Sequence, residues 1–311
     1  MRLIQKHWVK RMRPKLNFSK AATTKAKMLR RYHLPNTPLT KGSLALSFVL
    51  VLIMVQGVAQ TNLSGKPGLM YIPSAVALED GSFRFGYNYN PIHYGMRGRN
   101  KNPERVWFAH LAILPRLEIT ATLLQMIDTK IRDVREGIGD RSMDVRYLLL
   151  KETKKRPSVA VVMTVPFTID GALLTHVVVA TKNFTFNPTL SLEVSAGYGS
   201  PYFVYRNNGE LATDLNSTFL NNFAVQKKSE WRFKNNYLVG PFGGAVLHFR
   251  KQAGLMVEYD SQNINVGAYA TLFKRWTVQA GWLNGDQFMF GTSFGVNLLK
   301  LPRQLRKESE K

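Results

Sequence analysis

The chain has 311 residues, enough for one large domain or two small ones, and contains no cysteine, which excludes disulfides, thiolate nucleophiles and thiolate metal sites. Its Lys and Arg outnumber its Asp and Glu by 43 to 20, but unevenly: residues 1–59 hold 12 basic residues and no acid, whereas 60–311 carry a net charge of only +11. A basic run placed directly before an apolar one is explained by export, so no nucleic-acid partner is expected.

The apolar run is LALSFVLVLIMV, from Leu44 to Val55, with Lys41 before it and Gly57-Val58-Ala59 after it. Spanning a bilayer takes about 20 apolar residues. A shorter run flanked by basic residues on one side and small ones on the other predicts a secretory signal, cleaved after Ala59 so that the mature chain starts at Gln60. The competing reading is an uncleaved signal anchor with a basic cytoplasmic tail. Met28, followed by Arg30 and Arg31, makes a more ordinary start for such a signal than Met1, so residues 1–27 read as a start-site artefact.

Residues 65–80, GKPGLMYIPSAVALED, are rich in Gly, Pro and small side chains, and read as a lead-in loop rather than a strand. From 82 to 90 the pattern changes to strict alternation. Phe83, Phe85, Tyr87 and Tyr89 share one face, and Arg84, Gly86, Asn88 and Asn90 the other, a period of two that marks a strand. Aromatics on one face and polar or small residues on the other suit a barrel wall with lipid outside and water within; the edge of a soluble β-sandwich is the alternative.

A basic loop over 97–105, including Arg97 and Arg99, precedes strands at 106–114 and 117–127 joined by a tight Pro115-Arg116 turn. Residues 128–140 form a charged loop, and alternation resumes over 141–152, with Met143, Val145, Tyr147 and Leu149 opposite Asp144 and Arg146. Further strands are predicted over 157–169, 173–184 and 188–198. Residues 200–236 break the rhythm with polar and basic side chains, Lys227 and Lys228 among them, and read as the longest connection, the one suited to contacts of its own. Strand character returns over 243–250 and continues as a meander of hairpins to 298, interrupted at 261–262, 272–274 and 284–286. In its first segment Leu255, Val257 and Tyr259 oppose Met256, Glu258 and Asp260. The total is about 12 strands, the even number expected of a single-chain outer-membrane barrel. The domain plan is a leader (1–59), a barrel (60–299) and a polar tail (300–311).

Catalytic constellations are missing. His93, His110, His176 and His248 have no metal-ligand spacing, and neither a GxSxG elbow nor a phosphate-cradling GxxxxGK[ST] loop occurs. No enzyme activity and no cofactor are expected. Arg84, Arg146, Glu193, Glu258 and Asp260, with Asp144, are candidates to line the lumen, either as interior ion pairs that satisfy one another or as groups that read a solute. Arg97, Arg99, Lys227 and Lys228 are candidate loop contacts for phosphorylated glycolipid or an acidic polymer, or ordinary solvated side chains.

Three stretches in order resemble a known family. GLMYIPSAVALEDG (68–81), GDRSMDVRYLLLKETKKRP (139–157) and GPFGGAVLHFRKQAGLMVEYDSQNINVGAY (240–269) are similar to the opening, middle and later signatures of the YjbH-like family of exopolysaccharide-associated outer-membrane proteins. The resemblance implies an outer-membrane barrel, without known catalysis, that supports making or exporting an extracellular polysaccharide. This chain departs from the longer members in two ways, holding one barrel unit and having no lipobox cysteine; it also finishes on a polar tail rather than an aromatic strand residue.

The expectation is therefore an all-β, antiparallel, up-and-down transmembrane barrel in a Gram-negative outer membrane, supporting exopolysaccharide or capsule assembly as a passive conduit or scaffold. Expected partners are outer-membrane lipid, extracellular polysaccharide and other envelope assembly proteins. The rival readings are a general porin-like or lipid-handling barrel and a soluble periplasmic β-sandwich binding module.

Overall fold

The computed structural model describes residues 60–97, 99–127, 139–166, 172–206, 223–231, 234, 236–250 and 252–299. Its strands are β1 (Ser82–Asn90), β2 (Glu104–Leu114), β3 (Leu117–Met126), β4 (Asp140–Leu150), β5 (Ser158–Thr164), β6 (His176–Thr185), β7 (Leu190–Gly199), β8 (Tyr202–Arg206), β9 (Phe223–Lys227), β10 (Gly240–Phe249), β11 (Ala253–Tyr259), β12 (Ile264–Leu272), β13 (Trp276–Leu283) and β14 (Gln287–Asn297). Twelve of them form a closed antiparallel barrel in which every neighbour in space is a neighbour in sequence, except that β7 pairs with β10 and β1 closes on β14. Closure removes sheet edges, the condition for crossing a membrane with strands.

The alternation seen in the sequence sets which way each side chain faces. On β11, Leu255, Val257 and Tyr259 are exposed while Met256 and Glu258, and Asp260 just after the strand, are buried. On β1, Phe85 is half exposed and Arg84, Asn88 and Asn90 are buried. The outer surface is a continuous apolar and aromatic belt that includes Trp107, Tyr147, Leu149, Trp276, Trp282 and Phe288. A large apolar and aromatic outer surface over an interior that buries many polar and charged side chains is the reverse of a soluble protein and matches a wall facing hydrocarbon.

The connections fall into two sets. At one end of the barrel they are short, spanning 115–116, 151–157, 186–189, 250–252 and 273–275, and β1 begins and β14 finishes at this same end. The other end carries the longer connections 91–103, 127–139, 165–175 and 200–239, along with two tight turns. Short turns lie on the periplasmic side and long loops outside in barrels of this kind. Part of the charged 128–140 loop lies outside the described residues, as do the leader 1–59 and the tail 300–311.

The segment 200–236 departs from the loop expected of it. Its two described arms pair as the β8–β9 hairpin, from Tyr202 opposite Lys227 to Arg206 opposite Phe223. Phe203 is buried, with its ring 5.1 Å from that of Trp231. Strands of five residues among basic side chains carry too little alternation to be read from sequence.

The larger surprise is the core. Residues 60–74 are all buried, and the lead-in stretch folds inside the barrel. Leu63, Leu69, Met70, Tyr71, Ile72 and Ala75 belong to one apolar cluster with wall residues such as Val106, Leu124, Val162, Val179, Val246 and Met256. The wall is shaped to receive them: a Cβ added at Gly281 would lie 2.5 Å from the Met70 sulfur, and one at Gly267 would lie 2.7 Å from it. Gly281→Val therefore displaces Met70 and weakens the seating of the segment by about 1–3 kcal/mol. The expected result is a lower temperature for the heat-dependent gel-mobility shift; an unchanged midpoint would mean that Met70 does not press on this wall.

Candidate functional site, a plugged lumen

A peptide with irregular backbone, buried in a lumen, must find a partner for each N–H and C=O, because no bulk water is there to serve. Part of the requirement is met internally. Asn62 N–H donates to Lys66 O (2.8 Å), Leu63 N–H to Met70 O (2.6 Å), Leu69 N–H to Ile72 O (3.0 Å) and Ser74 N–H to Pro67 O (2.8 Å). The Asn62 side-chain oxygen accepts from the N–H groups of Ser64 and Lys66 at 3.2 and 3.0 Å, the local turn chemistry typical of Asn.

The wall supplies further partners. The Glu258 carboxylate accepts from three consecutive backbone N–H groups, those of Met70 (3.0 Å), Tyr71 (2.9 Å) and Ile72 (3.3 Å), and from Asn265 Nδ2 (3.1 Å). Asn88 Nδ2 donates to the carbonyls of Asn62 and Leu63 at 3.2 and 2.8 Å. Thr122 Oγ1 donates to Ser64 O (3.2 Å), and Thr181 Oγ1 accepts from Ala75 N–H (2.7 Å). Gln60 Nε2 donates to Gln279 Oε1 at 2.7 Å. Tyr71 donates its hydroxyl to Asn90 Oδ1, and the Tyr237 hydroxyl donates to Tyr71 O at 3.1 Å. The polar inner face that suggests a water channel in the sequence is in large part a set of partners for a peptide.

Charge fixes the plug at two further points. Lys66 Nζ lies 2.5 Å from Asp144 Oδ2, with both side chains buried, and also donates to Ser64 Oγ at 2.6 Å. Arg146 donates to the carbonyls of Ser74 (3.0 Å) and Val76 (2.7 Å) while pairing with Glu118. Glu118 also faces His110 Nε2 at 3.2 Å, and His110 Nδ1 faces Thr120 Oγ1 at 2.8 Å.

The five residues proposed to line the lumen are all buried, but they do not meet one another as expected. Arg146 pairs with Glu118, its direct partner in the β3–β4 register, and not with Asp144, which sits opposite Thr120. Asp144 is matched instead by Lys66 from the plug. Glu258 binds plug backbone. Arg84 lies opposite His110 in the β1–β2 register, beside the Glu118 cluster. Glu193 stands apart, with Oε2 3.3 Å from His248 Nε2, whose Nδ1 is 2.6 Å from the Tyr269 hydroxyl. Asp260 caps the β11–β12 turn, accepting from the N–H groups of Gln262 (3.0 Å) and Asn263 (2.8 Å).

The basic loop residues also separate. Arg99 is exposed and donates to His93 O and Gln262 Oε1 at 3.2 and 3.1 Å, and Lys227 is exposed. Arg97 ties its loop to the start of β4 through Asp140, at 3.2 Å. Lys228 does not reach solvent: the 3-10 turn Lys228–Glu230 folds it inward, where Nζ donates to Tyr237 O at 3.1 Å. Burial pulls its ammonium down from the usual 10.5 to about 7, against the pull of the Asp144 carboxylate. The unfolded chain therefore holds one proton more than the folded one between about pH 7 and 10.5, so Lys228 makes stability rise with pH across that window. Lys228→Met is expected to remove this rise in melting midpoints measured from pH 7 to 10; the same slope in both proteins would show that Lys228 is not buried.

No Cys, His, Asp or Glu group of three converges as a metal site among the described residues. What the site offers is a lumen closed by the chain's own peptide, and a closed, aromatic-belted wall around it: the molecule is a plugged transmembrane β-barrel of the outer-membrane kind. The family model described as exopolysaccharide biosynthesis protein YbjH matches residues 60–311, and the chain belongs to that YjbH family. No curated protein matches. Among solved structures, a KdgM porin is similar over 69% of this chain and 97% of its own, at 9% identity and a TM-score of 0.36; a likeness that weak says nothing of what this barrel admits.

Proposed function

We propose that this protein supports exopolysaccharide assembly at the outer membrane of a Gram-negative cell as a closed scaffold and not as a free-running conduit. The observation that carries this reading is the Glu258 carboxylate, held by three successive N–H groups of the plug. A wall residue so used supports a filled lumen on that side and not an open one. Polysaccharide and other envelope assembly proteins would then engage the long-loop end, where Arg99 and Lys227 are exposed, and no catalysis is required of the barrel. Cleavage of the leader after Ala59 would make Gln60, the first residue of the plug, the first of the mature chain.

The test is deletion of the gene in a polymer-producing strain, followed by complementation. Loss of surface polymer with unchanged uptake of small solutes is expected. Normal polymer with altered solute uptake would establish a general porin-like barrel instead, and recovery of the protein from cells without detergent would remove it from the membrane.

A further inference from the structure

The outer face of the wall carries an open groove, of about 710 Å3, across β1, β2, β13 and β14. Register explains it. Thr292 sits opposite Tyr87 on one side and Val278 on the other, and Tyr87 sits opposite Trp107. A small side chain is thus surrounded by rings: Tyr87 and Trp107 have centroids 4.8 Å apart, and Phe85 and Phe294 5.8 Å. Trp276 also lines the groove, its Nε1–H donating to Thr292 Oγ1 at 2.5 Å. The groove has a charged mouth as well, since Arg275 lines it from the β12–β13 turn. That turn belongs to the short-turn end, where the inner leaflet meets the periplasm. Arg275 is exposed, and its guanidinium has five donors suited to phosphate.

We propose that this groove binds one anionic phospholipid of the inner leaflet, its acyl chain over Thr292 between the aromatic rings and its phosphate on Arg275. The size lies within the range of small-molecule sites, and Trp276 stands where interfacial aromatics sit at headgroup level. An outer-leaflet glycolipid would present its phosphates at the opposite end, away from the arginine. This site is independent of the plug and of any role in polymer assembly; it needs only a barrel in a membrane.

The test is native mass spectrometry of residues 60–311 in detergent, titrated with phosphatidylglycerol or phosphatidylethanolamine, with heat-modifiable mobility verifying the fold of each variant. The wild type is expected to retain phosphatidylglycerol preferentially. Arg275→Gln should weaken that retention about fivefold, the effect of one basic residue near an anionic surface. Thr292→Trp, which fills the groove from its lipid side, should weaken retention of both lipids. Lys274→Gln, on the same turn but outside the groove, should change retention less than Arg275→Gln. Equal retention of the two lipids by the wild type, an equal effect of Lys274→Gln and Arg275→Gln, or co-purification of lipid A alone would overturn the proposal.

Discussion

Glu258→Ala is expected to turn an electrically silent barrel into a conducting one. In the native lumen the carboxylate takes the N–H groups of Met70, Tyr71 and Ile72 at 3.0, 2.9 and 3.3 Å. Alanine leaves all three donors facing a dry wall, and an orphaned buried donor costs about 1–3 kcal/mol. Taking the low end for each, the plug is held roughly 3 kcal/mol less firmly, which raises the unplugged fraction about 100-fold. Planar-bilayer recordings should then show stepwise openings that are rare or absent in the wild type. Glu258→Gln keeps one carbonyl acceptor and should lie between the two. The same variant should remain a folded barrel, because Asn265 and Glu258 face each other across a β11–β12 pairing that alanine leaves intact.

The second large effect is expected at the ion pair. Asp144→Ala removes the anion 2.5 Å from Lys66 Nζ in a site where neither side chain is more than 1% exposed. The ammonium keeps Ser64 Oγ at 2.6 Å and Thr175 Oγ1 at 3.4 Å, but hydroxyls do not offset a buried charge. Breaking such a pair from one side costs about 3–5 kcal/mol, whereas replacing both members by apolar side chains is close to neutral. Asp144→Ala should thus lower the melting midpoint strongly, and Lys66→Met with Asp144→Leu together should recover most of it. A double-mutant cycle over Lys66→Met, Asp144→Leu and their combination gives the coupling directly. If the two single variants add without coupling, Lys66 does not meet Asp144 and the plug is seated elsewhere.

The wall was legible in the sequence because a barrel strand carries its instructions locally. β1 has the bounds read from alternation, since four aromatics and four polar or small residues take turns with no interruption. The hairpins from β11 to β14 follow for the same reason, and the count of twelve with them. The plug was not legible, because nothing within it is periodic. Its apolar side chains, Leu63, Leu69, Met70, Tyr71 and Ile72, stand in a Gly- and Pro-containing stretch whose partners lie far along the chain, as Glu258 does from Met70, 188 residues away.

The same distinction accounts for the charges. That Glu258 and Arg146 face inward follows from strand period, but that Arg146 takes Glu118 and not Asp144 follows from register, which one strand alone does not encode. Lys66 gives no local sign of burial either: a lysine between Gly65 and Pro67 looks like a solvated loop residue until its anion is found 78 positions later. Lys227 and Lys228 are adjacent in sequence and opposite in fate: Lys227 ends β9 and is exposed, while the 3-10 turn that begins at Lys228 sets its ammonium onto Tyr237 O.

The central claim, that residues 60–75 fill the lumen, is tested most directly by thiol labelling. The absence of native cysteine makes every introduced thiol unique, and Ser64→Cys and Ser74→Cys are nearly isosteric replacements at fully buried positions toward the two ends of the plug. In folded protein in detergent both should resist a polar maleimide and react only after heating, while Lys227→Cys, at the exposed hairpin, reacts at once. Rapid labelling of Ser64→Cys and Ser74→Cys in a barrel that still shows its heat-dependent shift would contradict the account, and would mean that the lumen is open.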